Sequence, residues 1–70
     1  MNYPIYLETK YKLQIKIISE KSAIAVHGLD INHYTHPSIF LENEDCKPST
    51  DDAFNNAFES TILELKTLAQ

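Results

Sequence analysis

From Lys10 to Ser19, apolar and polar residues alternate with period two. Tyr11, Leu13, Ile15 and Ile17 fall on one side; Lys10, Lys12, Gln14, Lys16 and Ile18 fall on the other. Such alternation, with β-branched residues on the inner side, predicts a half-buried strand. Residues 3–8 predict a shorter strand with Tyr3, Ile5 and Leu7 on one side. Pro4 lacks an N–H, which suits a strand start or an edge. The polar stretch Ser19-Glu20-Lys21-Ser22 predicts a turn. Residues 22–28 then predict a third strand, with Ile24 and Val26 inward and Ala23, Ala25 and His27 outward. Gly28 to Pro37 reads as a longer connection, because the residue before a proline favours extended or turn geometry. Residues 38–42 predict a fourth strand, with Ile39 and Leu41 opposite Phe40. The acidic stretch Glu42 to Pro48 reads as a loop.

The period changes after Pro48. Phe54, Phe58, Thr61, Ile62, Leu65, Leu68 and Ala69 recur at helical spacing and predict one amphipathic helix near residues 50–69. Ser49 is the expected N-cap, with Asp52 three residues on; Asp51 and Asp52 suit the positive end of the helix dipole. The expected fold is α+β and two-layered. It is an antiparallel β-meander of three or four strands, near residues 3–8, 10–19, 22–28 and 38–42, with the C-terminal helix packed on one face. The helix is expected to cover the Leu13, Ile15 and Ile17 side, leaving Lys12 and Lys16 on an open face.

Seventy residues suit a single small domain with a marginal core. Cys46 is the only cysteine, so an internal disulfide is excluded; this fits a reducing, cytoplasmic location. No apolar run approaches a membrane span, and the start lacks the pattern of a secretory signal. The charge is unevenly divided. Residues 1–29 carry Lys10, Lys12, Lys16 and Lys21 against Glu8 and Glu20, which is +2. Residues 30–70 carry eight carboxylates against Lys47 and Lys66, which is −6. With a net charge of −4 and no arginine, sequence-specific DNA binding is not expected. Gly28 is the only glycine, which excludes a glycine-rich phosphate loop or dinucleotide fingerprint.

Three constellations could carry chemistry. The lysine row, with Tyr6, Lys12, Lys16 and His27, would offer an anionic small ligand such as a nucleotide a shallow basic and aromatic surface. The plain alternative is a solvated outer face with lysines guarding against aggregation. A third option is burial of Ala23, Ala25, Ile18 and Phe40 by face-to-face dimerisation. His33, His36 and Cys46 are possible zinc ligands, but their spacing matches no recognisable site, and solvated loop histidines are the simpler account. A Cys/His nucleophile pair lacks any sign of an oxyanion hole.

Asp51 and Asp52 are explained by the helix start, whereas Glu42, Glu44 and Asp45 are not. These three would suit a protein partner with a basic surface. Leu63, opposite the helix stripe, would be a further contact.

Tyr3-Pro4-Ile5 opening a strand, and Ser49-Thr50-Asp51-Asp52-Ala53 opening a helix after a meander, resemble the small antitoxins of the HicAB toxin–antitoxin type over about a third of the chain. The family's glycine-rich first hairpin is missing, and no strand follows the helix within these residues. No functional residue is carried over. The expectation is a non-enzymatic protein-interaction or inhibitor module, acting as a homo-oligomer and needing no cofactor. The alternative is an oligomer that sequesters an anionic ligand, and a third reading is a metal-stabilised domain.

Overall fold

The computed structural model describes residues 2–70. Its elements are β1 (Ile5–Glu8), β2 (Gln14–Ser19), β3 (Ser22–His27), β4 (Asp30–Tyr34), α1 (Ser38–Leu41), β5 (Lys47–Pro48) and α2 (Asp51–Leu68). The strands form one antiparallel sheet in the order β4-β3-β2-β1-β5. The architecture is therefore an α+β meander with a C-terminal helix on one face. No helix among the described residues is long and apolar enough to cross a membrane.

Two segments depart from the sequence reading. Gly28 and Leu29 form a two-residue hairpin turn instead of opening a long connection, and β4 follows at once. Gly28 has φ +58° at the first central position, the conformation a type II′ turn asks of a glycine there. Residues 38–42 do not form a strand. Pro37 is already fixed near helical φ, and Phe40 and Leu41 donate back to its carbonyl, which winds one helical turn. A run of adjacent apolar residues has no period of its own, so it could not separate these outcomes.

The faces of the sheet also differ from expectation. Ile15 lies opposite Leu7 and Ala25, and Ile17 opposite Ile5 and Ala23. Directly opposed residues share a face, so the two alanines join the isoleucines. Leu7, Ile15, Ile17, Ala23 and Ala25 make one buried cluster with Phe40 of α1, and Tyr3, Ile5, Leu13, Tyr34 and Cys46 pack around it. This α1 face is closed within the chain, so the alanines and Phe40 are not free for face-to-face dimerisation. Ile18 is the residue bulged out of β2, and it is exposed.

Helix α2 covers the other face, over Tyr6, Gln14, Lys16 and Val26. The Phe54 ring lies 6.0 Å from Tyr6 and 6.0 Å from Phe58. The N-cap is Thr50 rather than Ser49: its Oγ1 accepts from the Ala53 N–H at 3.1 Å. The Ser49 hydroxyl donates to Gln14 Oε1 at 2.8 Å, while Gln14 Nε2 donates to Glu8 Oε1 at 2.6 Å. This satisfies a buried amide from both ends and ties the helix start to β1 and β2. Further along, the Thr61 hydroxyl donates to the Gly28 carbonyl at 2.6 Å. Beyond that point the sheet ends. Leu65 and Leu68 continue the helix stripe but are exposed.

Candidate functional site

The first hairpin is closed by a three-residue loop, Lys10-Tyr11-Lys12. Thr9 donates to the Leu13 carbonyl, and Thr9 Oγ1 accepts from the N–H groups of Tyr11 and Leu13. Lys12 closes the loop at φ +70°, the left-handed region that glycine and asparagine occupy most readily. Lys12→Gly should therefore stabilise the fold by roughly 0.5–1 kcal/mol, since the relieved strain exceeds glycine's added chain entropy. A rise in urea midpoint at unchanged m-value would verify it; a fall would show that the lysine stem supplies compensating packing.

This loop lies at the same end of the sheet as the β3–β4 turn. The segment Asn43-Glu44-Asp45 comes back to that end on the α1 face. Asn43 shapes it: its Oδ1 accepts from the Asp45 N–H at 2.9 Å, and its carbonyl accepts from the Cys46 N–H. Between the three segments is an open groove of about 320 Å³. Thr9, Tyr11 and Leu13 line it from the first hairpin, His27, Asp30 and Asn32 from the second, and Asn43 and Asp45 from the acidic loop.

The groove has aromatic and aliphatic walls with two carboxylates. Asp45 Oδ2 lies 3.4 Å from Lys10 Nζ, and both side chains are about half exposed, at 53% and 54%. An ion pair so open to water contributes little to stability and is readily exchanged for another cation. The Lys10 ammonium also lies 5.2 Å from the centre of the Tyr11 ring. Asp30 has no salt bridge among the described residues. Beside the groove, burial and the neighbouring Asp45 charge both raise the Cys46 thiol pKa, so it is a poor nucleophile at neutral pH.

The expected site residues are dispersed. Asp45 enters the groove, while Glu42 and Glu44 are exposed on the approach to it. Leu63 is 67% exposed on α2, across the sheet from the acidic loop, so it does not extend that surface. The lysine row does not form. Lys10 and Lys12 belong to the hairpin loop rather than to β2. Lys16 lies on the α2 face, its ammonium 5.9 Å from the centre of the Tyr6 ring. Lys12 lines a neighbouring cleft of about 200 Å³ with Gly28 and Glu64, and His27 borders both this cleft and the groove. The four residues read as an anion site are thus divided between two places, one with a carboxylate.

The candidate metal ligands are divided as well. His33 lies on the α2 face opposite Ile24, its ring bonded to the Ser22 hydroxyl at 2.9 Å. Cys46 packs on the α1 face. Among the described residues, no three histidine, cysteine or carboxylate side chains gather as a metal site would require.

Tyr11, Asp30, Asn32 and Asn43 are groove residues that the sequence reading did not assign. The turn signal Gly28 was the available clue, since a two-residue hairpin there sets Asp30 opposite His27. No protein-family model, curated protein or solved structure matches this chain.

Proposed function

We propose that this chain is a small non-enzymatic interaction module that captures a protein partner with a basic surface. A lysine or arginine side chain of that partner enters the groove at the hairpin end of the sheet. The observation that supports this reading is the placement of Asp30 and Asp45, from separate elements, around one groove walled by Tyr11 and Leu13. A long basic side chain has matching chemistry, with an aliphatic stem for apolar walls and a cationic head for carboxylates or an aromatic face. Glu42 and Glu44, exposed nearby, would add attraction at longer range and speed the encounter. Binding there would mask a basic functional surface of the partner, which is how such a module would act as an inhibitor or adaptor.

The test is capture from the native host by immobilised protein, followed by association kinetics on the purified partner. The doubly reversed variant Asp30→Lys with Asp45→Lys should slow association by about tenfold or more, and added salt should slow the wild type likewise. Both substituted positions are exposed, so the fold should survive. Association of the double variant at the wild-type rate, or a wild-type rate that added salt leaves unchanged, would refute the assignment of the groove.

A further inference from the structure

The two edges of the sheet are built differently. At the β5 edge the strand has only two residues, Lys47 and Pro48. Short length, a lysine and a residue without an N–H all discourage an edge from recruiting another strand. The β4 edge has five residues, Asp30–Tyr34, without lysine, proline or a shift in register. The tight Gly28-Leu29 turn makes His27 and Asp30 a hydrogen-bonded pair, so Asn32 and Tyr34 also bond inward to β3. The backbone N–H and C=O groups of Ile31 and His33 therefore point away from the sheet. Among the described residues, no loop or helix backbone bonds to them.

Apolar surface flanks this edge. Ile31 is half-buried on the α2 face. On the α1 face, Phe40 meets Tyr34 edge-on at 5.0 Å, and Leu41 turns toward Tyr3 and Glu20. Ile39, on the opposite flank of that helical turn, is 53% exposed.

We propose that β4 pairs antiparallel with β4 of a second copy of this chain, about a two-fold axis at Asn32. In that register Ile31 of each copy opposes His33 of the other, so both outward-facing residues of both chains bond. A shift by two residues that sets Ile31 against Ile31 would place His33 opposite Leu29, inside the turn. The register is also self-complementary in its side chains. Asn32 meets Asn32, two amides that can donate to and accept from one another. Ile31 meets the imidazole of His33, and Asp30 opposes Tyr34 rather than another carboxylate, so no like charges face each other. The product is one continuous sheet whose two remaining edges are both β5, the guarded kind. Asp30 and Asn32 belong both to β4 and to the groove, so the pairing would set the grooves of the two copies side by side at the seam.

Sedimentation and light scattering of the full chain test the proposal. The wild type should show twice the 8.0 kDa chain mass, with the amides of Ile31 and His33 protected from hydrogen exchange. Asn32 is exposed in the single chain, so Asn32→Lys should keep the circular dichroism spectrum. It would set two lysines against each other at the axis, giving the single-chain mass and fast exchange at Ile31 and His33. Asn32→Asp should do the same, and a one-to-one mixture of the two variants should restore the double mass. A wild type that stays single at its highest soluble concentration would overturn the proposal. So would a double mass that survives both variants, or two variants that fail to recombine.

Discussion

Replacing Phe54 with alanine should cost about 3–5 kcal/mol, whereas Leu65→Ala, on the same helical stripe, should cost less than about 0.5 kcal/mol. Phe54 is buried at 4% exposure between Tyr6 and Phe58, where the start of α2 lies over the sheet. Removing the ring takes away its own burial, breaks two aromatic contacts and leaves a cavity that neither neighbour can fill without losing the other. Leu65 comes one turn after Thr61 bonds to Gly28, where the sheet ends, and it is already exposed. Alanine is also the better helix former, which offsets the small loss of contact. A domain of this length has a stability toward the low end of about 5–15 kcal/mol. Phe54→Ala should therefore retain only about 0–2 kcal/mol and be partly unfolded in buffer at 25 °C, with Leu65→Ala close to wild type. Urea titrations followed by circular dichroism would measure both. Equal midpoint shifts would mean that the whole stripe is packed and the helix does not overhang.

Phe54 and Leu65 together mark the limit of what a periodic pattern can report. The spacing of Phe54, Phe58, Thr61, Leu65 and Leu68 was enough to predict the helix and its inward side. It carried nothing about where the sheet beneath would stop, because that depends on the lengths of β2, β3 and β4. The alternation in residues 10–19 likewise identified a strand, yet it assigned the wrong partners to its two sides. A two-residue turn at Glu20-Lys21 pairs Ser19 with Ser22, and without a bulge Ile17 would then oppose Ile24. The bulge at Ile18 makes Ile17 oppose Ala23 instead. One extra residue exchanges the sides of every residue in β3 relative to β2, and no pattern within either strand records it.

The groove was hidden for a different reason. Its walls come from residues 9–13, 27–32 and 43–45, which the sequence reads as the inner side of one strand, the end of another with a connection, and an acidic loop. Only the pairing of the two hairpins, both turning at one end of the sheet, brings them together. Asp45 was recognisable because the helix start did not account for it. Asp30 gives no such signal, because β4 is rich in Asp, Asn and His, residues with weak strand preference, and its stretch reads as part of a connection.

The bulge also makes Ala25 a sensitive position. Ala25→Leu should cost about 1–3 kcal/mol and lower the melting temperature by roughly 5–20 °C. If Ala25 faced outward, as strict alternation implies, an added leucine would be close to neutral. Instead its side chain is fully buried opposite Ile15, in the cluster that Phe40 of α1 closes. There is room for a methyl group and not for three more carbons. The excess has to push α1 outward, and Phe40 would separate from Tyr34, its edge-on neighbour. The size of Phe40 is thus matched to the alanines beneath it. Phe40→Leu alone leaves a void and should destabilise, yet combined with Ala25→Leu it should recover part of the loss. A double-mutant cycle should give a favourable coupling of about 0.5–2 kcal/mol. Additive effects would mean that Phe40 and Ala25 do not press on each other.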